Sequence, residues 1–258
     1  MRNTLLVGLL ALAVPACLVG TGDITGSGGN PSGGGNPSGG GDPNPGGNPD
    51  PTPTPTPHVS GTVDKTTVTT ELATTETLTY TITGTDGFTG DVTVTPSVVD
   101  AAGTPVTGWT LTPTPATVTL SQNGTATVAL AVMIPSDNQA LTPTVKLALA
   151  STAAASEVDS AFTIKNQITI TIDAGTGTGS PHTNLPQPNS RLTIHQGTKI
   201  IFHNGDTIAH EIHADGGIPH EGGALNPNAD YTVTPSSDAD WYCHDHESGG
   251  QARLVSVI

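Results

Sequence analysis

The sequence predicts an all-β chain, with two β-sandwiches in series behind a disordered linker. Three observations carry this expectation. Aromatic residues make up only 3% of the chain and charged residues 11%, while Thr, Val and Ala dominate, a composition that suits half-buried pleated surfaces. Apolar residues recur with period two in short runs such as Thr75-Glu76-Thr77-Leu78-Thr79-Tyr80-Thr81-Ile82, as they do in strands with one face buried. Ahead of these runs lies a Gly/Pro-rich stretch with too few apolar residues to fold.

The chain begins with what reads as a targeting segment, residues 1–16. Arg2 supplies a minimal positive region, and Leu5 to Val14 is an apolar run too short to span a bilayer comfortably. Val14-Pro15-Ala16 then precedes Cys17, which resembles a bacterial lipoprotein signal with Cys17 as the lipidated first residue. Ordinary signal-peptidase cleavage is the alternative. Residues 17–57 form the linker, in which Gly-Gly-Gly-Asn-Pro-Ser repeats give way to Pro-Thr repeats. The Gly part is expected to be a flexible coil, and the Pro-Thr part a stiffer spacer of about 3.1 Å per residue.

Residues 58–165 predict the first sandwich. Strand candidates are the Thr75–Ile82 run, Asp91–Val94, Ala116–Leu120, Ala126–Ile134, Val145–Leu149 and Ala161–Ile164. Asp86-Gly87, Asn123-Gly124 and Pro135-Ser136-Asp137 punctuate them as turns. Short strands at this spacing suggest an immunoglobulin-like fold, without the disulfide of antibody domains. Gly87-Phe88-Thr89-Gly90-Asp91-Val92 is similar to segments of bacterial immunoglobulin-like domains in exported proteins. No His, Cys or acidic cluster in this region suggests chemistry, so its expected role is a spacer or docking module.

Residues 166–258 predict the second sandwich, a two-sheet Greek-key domain. Gln167–Ile172 is a period-two strand, joined to the first sandwich too closely for much independent motion. Arg191–Ile194, Thr198–Phe202, Tyr231–Thr234 and Leu254–Val257 complete the visible set.

Two cysteines serve the whole chain, in what the leader makes an oxidising context. If Cys17 carries lipid, Cys243 is a lone thiol and a liability there unless something occupies it. Cys243 and His246 stand in C-x2-H spacing, Gln251 follows, and His210 lies upstream on another loop. One thiolate and two imidazoles with a weak fourth donor suit copper. Zinc takes Cys and His too, but Gln is a poor fourth zinc ligand. A catalytic zinc would want a carboxylate base, for which Glu211, Asp245 or Glu247 stand nearby.

This stretch resembles a cupredoxin of the plastocyanin type, whose run Tyr-x-Cys-x-x-His-x-x-x-x-Met-x-x-x-Val enters the last strand. Here the run reads Trp241-Tyr242-Cys243, His246, Gln251, Val255, and Phe202-His203-Asn204 ahead of His210 matches the family's Phe-x-Asn. Gln251 departs from the commoner Met and resembles the stellacyanin-like members. The resemblance covers about a third of the chain. It implies one type 1 copper per chain held by His210, Cys243, His246 and axial Gln251, and an electron carrier cycling Cu(I)/Cu(II), not an enzyme. Multicopper oxidation or nitrite reduction needs paired His-x-His motifs, which are not found as pairs.

Of the other histidines, His213 has the opposite strand parity to His210, and His220 sits in a Gly-rich loop. Both are weighed as flanking groups or ligands of a second metal, as is His244, with a surface position favoured. His58, His182, His195 and His203 show no partner pattern. The formal net charge of −15 makes nucleic acid an improbable partner and serves solubility. The expected protein is exported, anchored through lipidated Cys17 to the cell envelope, monomeric, and faces the periplasm or the cell surface, with an unidentified redox protein as partner. The alternative is a surface interaction lipoprotein, or one that stores or delivers copper without carrying electrons.

Overall fold

The computed structural model describes residues 54–173, 185–219, 222–243 and 251–258. The leader, Cys17 and nearly all of the linker lie outside these residues. Pro53 to Ile258 belongs to one compact unit. Within it the described strands sort into two successive sandwiches, and among the described residues no helix is long and apolar enough to cross a membrane.

The first sandwich contains β1 (His58–Val63), β2 (Thr67–Glu71), β3 (Thr75–Thr85), β4 (Gly90–Val99), β5 (Thr110–Thr114), β6 (Thr117–Leu120), β7 (Thr125–Met133), β8 (Thr144–Ala150) and β9 (Ala155–Lys165). One sheet runs β1-β3-β7-β5 and the other β2-β9-β8-β4-β6. With β2 and β6 set aside and the other seven strands lettered A to G in chain order, these are the A-B-E-D and G-F-C arrangements of an immunoglobulin-like sandwich, with β2 added in parallel beside β9 and β6 antiparallel beside β4. The period-two runs explain why the sheets stack. Leu78, Tyr80 and Ile82 of β3 and Val128, Leu130 and Val132 of β7 are wholly buried, in one core with Val92, Val145 and Leu147 of the opposite sheet. Each such aliphatic side chain contributes about 1.5–3 kcal/mol on leaving water. The Tyr80 hydroxyl has no hydrogen-bond partner among the described residues. Burial first, then the Asp159 and Asp64 carboxylates, push its phenol up to about 12.

The predicted turns sit where expected. Asp86 and Gly87 both take positive φ, 54° and 84°, which an Asp-Gly pair accepts readily, and the Asn123 side chain accepts a bond from the Gly87 amide at 2.7 Å. The sequence does not reveal β1, β2 or β5, and β4 runs on to Val99 through Pro96. Proline is accommodated there because β6 pairs with β4 only as far as Thr93, so one side of β4 has no ladder at Pro96.

The second sandwich contains β10 (Gln167–Ile172), β11 (Arg191–Ile194), β12 (Lys199–Asn204), β13 (Ile212–Gly216), β14 (Asp230–Val233), β15 (Ala239–Cys243) and β16 (Arg253–Val257). Its sheets run β10-β12-β14 and β11-β16-β15-β13. Each carries one parallel pair at an edge, β10 with β12 and β11 with β16. Phe202, Trp241, Ile200 and Val255 fill the space between them. Trp241 meets Phe202 edge-on with ring centroids 4.9 Å apart, and the Arg253 guanidinium lies over the indole at 5.1 Å. Two strands, β13 and β15, were not among the sequence candidates. At the end of β13, Gly216 holds a φ of 74° and packs against the Asp238 carbonyl, 2.5 Å from where a Cβ would stand. Any larger residue would have to push backbone aside.

Only Asn166 separates β9 from β10. Its side chain donates to the Gly197 carbonyl at 3.3 Å and accepts from Thr198 Oγ1 at 3.0 Å, while its carbonyl accepts from the Lys199 amide at 3.1 Å. Glu71 of the first sandwich accepts from Gln167 Nε2 at 2.5 Å and Thr169 Oγ1 at 2.7 Å. Ser136 Oγ donates to the Thr193 carbonyl at 2.6 Å.

Candidate metal centre

Strand register decides what meets at the end of the second sandwich. Cys243 closes β15 directly across from Ile212, the first residue of β13. The chain ahead of Ile212, Glu211 and His210, therefore continues past Cys243 at the same end. Alternation sends His210, Ile212 and Ala214 inward, as it does Trp241 and Cys243, and all five are buried. Cys243 is 0% exposed and His210 1%.

The His210 loop is built by a buried amide. Asn204 ends β12, 0% exposed, and its Nδ2 donates to the carbonyls of Ile208 at 2.8 Å and Leu225 at 2.7 Å. Its Oδ1 accepts from the Asp206 amide at 2.9 Å. His210 and Leu225 in turn exchange backbone bonds, 3.1 Å from the His210 amide and 2.6 Å into its carbonyl. Asn204-Gly205-Asp206 thus starts a pinned loop, with the Gly205 amide bonded to the Ile172 carbonyl at 2.9 Å.

Asp206, also buried, places Oδ2 3.2 Å from His210 Nε2, while its Oδ1 accepts from the Thr207 amide at 2.6 Å. A carboxylate at one ring nitrogen orients an imidazole and makes its other nitrogen more basic, the usual support of a metal-bound histidine.

The structure brings His210 and Cys243 to one end of the sandwich. Gln251 sits half-buried where the chain enters β16, its carbonyl accepting from Arg253 Nη1 at 3.3 Å. His246 lies outside the described residues, as do His182, His220, His244, Asp245 and Glu247. Among the described residues no three His, Cys, Asp or Glu side chains converge. His213 faces outward as its parity requires, its ring 4.7 Å from that of Tyr242 and its Nε2 3.6 Å from Asp215 Oδ2. Two histidines without a partner pattern in the sequence have partners in space. His203 Nδ1 meets Asp230 Oδ1 at 2.6 Å across the β12–β14 ladder. His195 Nδ1 meets Gln139 Nε2 of the first sandwich at 3.1 Å.

Sequence reasoning used Asn204 only as part of a motif and passed over Asp206 and Leu225. The i, i+4 spacing of Asp206 and His210 was the available signal for one of them. Nothing local marks Leu225, whose bonds to Asn204 and His210 close a gap of 15 to 21 residues.

No protein-family model matches this chain, and no curated protein sequence matches it. Among solved structures it is similar to the Escherichia coli chaperone DraB, at 10% identity over 78% of this chain and 98% of that one, TM-score 0.32. It is similar to a tandem pair of titin immunoglobulin domains at 12% identity, over 79% and 98% of the two chains, TM-score 0.26. A family 123 glycoside hydrolase from Clostridium perfringens matches at 9% identity over 46% of this chain and 31% of its own length, TM-score 0.34. Likenesses at this level carry no argument about this chain, whose architecture rests on its own strand order and register.

Proposed function

We propose that the C-terminal sandwich is a cupredoxin-like type 1 copper domain and that the protein is an electron carrier, not an enzyme. The observation that carries this reading is the burial of one thiol, at the end of β15, and one carboxylate-supported imidazole, on the loop ahead of β13, at the same end of the sandwich. Soft sulfur with imidazole is a donor set for copper, and the residues present fit it. Cys243 would act as thiolate and His210 would bind through Nδ1, with Asp206 holding Nε2. His246 would be a second imidazole ligand and Gln251 would offer an amide oxygen. Bound copper would supply a one-electron couple, Cu(I)/Cu(II). The chain's own contribution is a His210 loop pinned by Asn204 and a thiol that is 0% exposed at the end of β15.

The sequence adds the setting: export, a lipid on Cys17, a monomer held at the cell envelope, an unidentified redox protein as partner, and no nucleic acid. Mass spectrometry of the mature N-terminus is expected to find Cys17 acylated. An unmodified Cys17 there overturns the anchor.

The test of the copper reading is addition of Cu(II) to the purified protein, followed by absorption and electron paramagnetic resonance. One copper per chain and an intense sulfur-to-copper charge-transfer band are expected, and Cys243→Ser removes the band. A variant as blue as the parent would sink the assignment. Copper bound without a reversible one-electron couple in voltammetry would point to storage or delivery instead.

A further inference from the structure

The register of the strands also orders the molecule from pole to pole. In the first sandwich His58 pairs with Thr85, the last residue of β3, while Thr75 at the other end of β3 lies beside Met133. That second end leads into Ser136 and Gln139, which touch the second sandwich. The chain therefore enters the first sandwich at the end away from the junction. In the second sandwich β10 and β12 both start at the junction, at Gln167 and Lys199, and run parallel away from it. They finish at Ile172 and Asn204, where the His210 loop is pinned. Cys243 lies at that same end, because β15 extends past the Trp241–Arg253 pair while Val257 and Ile258 lie back toward Ile194 at the junction.

Entry point and candidate metal loops thus occupy opposite ends. The 11 residues of β3 and the 6 of β12 lie between them, about 36 Å and about 20 Å of strand at about 3.3 Å per residue. The junction between is short and bonded on several sides. Asn166 is held by three hydrogen bonds, Glu71 accepts two from β10, and Ser136 and Gln139 reach the β11 end. A flexible domain linker would leave such polar groups to water.

We infer that the first sandwich is a rigid spacer, holding the metal-bearing end of the second sandwich at the pole away from the point where the chain enters. The placement of metal at that pole rests on the function proposed above, whereas the rigidity does not.

The test is nuclear magnetic resonance on the isotope-labelled full chain, using residual dipolar couplings in a dilute neutral aligning medium. Amides of β3 and β7 are expected to share one alignment tensor with those of β12 and β15. A comparator with a ten-residue Gly/Ser insertion after Asn166, together with Glu71→Ala and Ser136→Ala, is expected to need two. Two tensors in the parent overturn the spacer. With Cu(II) added, relaxation enhancement is expected at amides from Asn204 to Ile212 and none at Gly87, Phe88 or Asn123. Enhancement at those far turns overturns the pole assignment. Enhancement nowhere overturns the copper reading, and the tensors still decide rigidity by themselves.

Discussion

The two sandwiches use their interiors differently. The first is long-stranded and mostly apolar inside: Leu78, Tyr80, Ile82, Val128, Leu130, Val132, Val145, Leu147 and Leu149 of β3, β7 and β8 are buried, and its buried polar residues among those described are Thr70, Asn138 and Ser160. The second is short-stranded and buries Asn204, Asp206, His210 and Arg253 in about half the strand length. Polar groups cost free energy to bury unless each is hydrogen-bonded, and departures from an apolar interior concentrate where function needs them. One sandwich is therefore organised by burial, and the other by a polar network at a single end.

The largest expected effect contrasts the two principles directly. Leu130→Ala in the first sandwich and Asn204→Ala in the second should each cost about 3 kcal/mol of stability, one by leaving a cavity and the other by losing three buried hydrogen bonds. Denaturant titration measures the loss. Copper binding by the Leu130 variant should match the parent, while the Asn204 variant, its His210 loop no longer pinned, should lose it. Equal copper affinity in both variants would show that the network is merely structural.

A narrower substitution sharpens the same contrast. Asp206→Asn keeps shape and burial but removes the carboxylate beside His210 Nε2. Groups that support metal-bound histidines are worth about 10–100-fold in affinity, so competition titration with a copper chelator should show a loss in that range. Stability should change less than for Asn204→Ala, because the bonds that close the loop remain. An affinity within twofold of the parent would remove Asp206 from the site.

These residues also show what could be read in advance. Period-two runs such as Thr75–Ile82 and Gln167–Ile172 announced β3 and β10, because one face of each is buried and the other wet. The lack of a linker between the runs on either side of Asn166 was legible too, and Asn166 alone separates β9 from β10. Strands β13 and β15 were not visible, since Ile212–Gly216 and Ala239–Cys243 carry His, Asp and Gly and owe their pairing to the tertiary fold. β5 hid behind Pro113, which an edge strand tolerates. Cys243 and His210 stood out by residue type. The amide that pins the His210 loop did not, because its partners are fixed only once β12 and the Leu225 turn have come together.

The smallest effect concerns the axial position, where only the resemblance to copper proteins assigns a role. Axial ligand identity tunes the potential of such a site. An amide oxygen is a harder donor than a thioether and favours the oxidised state, so Gln251→Met should raise the reduction potential while His210 and Cys243 keep their places. For a one-electron couple, a tenfold change in the relative stability of the two states is about 59 mV, and a rise of more than that is expected. The backbone of Gln251 is engaged through its carbonyl with Arg253, a contact that the substitution leaves intact, so the loop should not rearrange. Arg253 itself is fixed by the Pro186 carbonyl at 2.6 Å and by the Trp241 ring, which ties the start of β16 to the strand carrying Cys243. Voltammetry on parent and variant under one buffer decides the matter: an unchanged potential takes the Gln251 side chain out of the copper shell and leaves it a loop residue at the edge of a polar network.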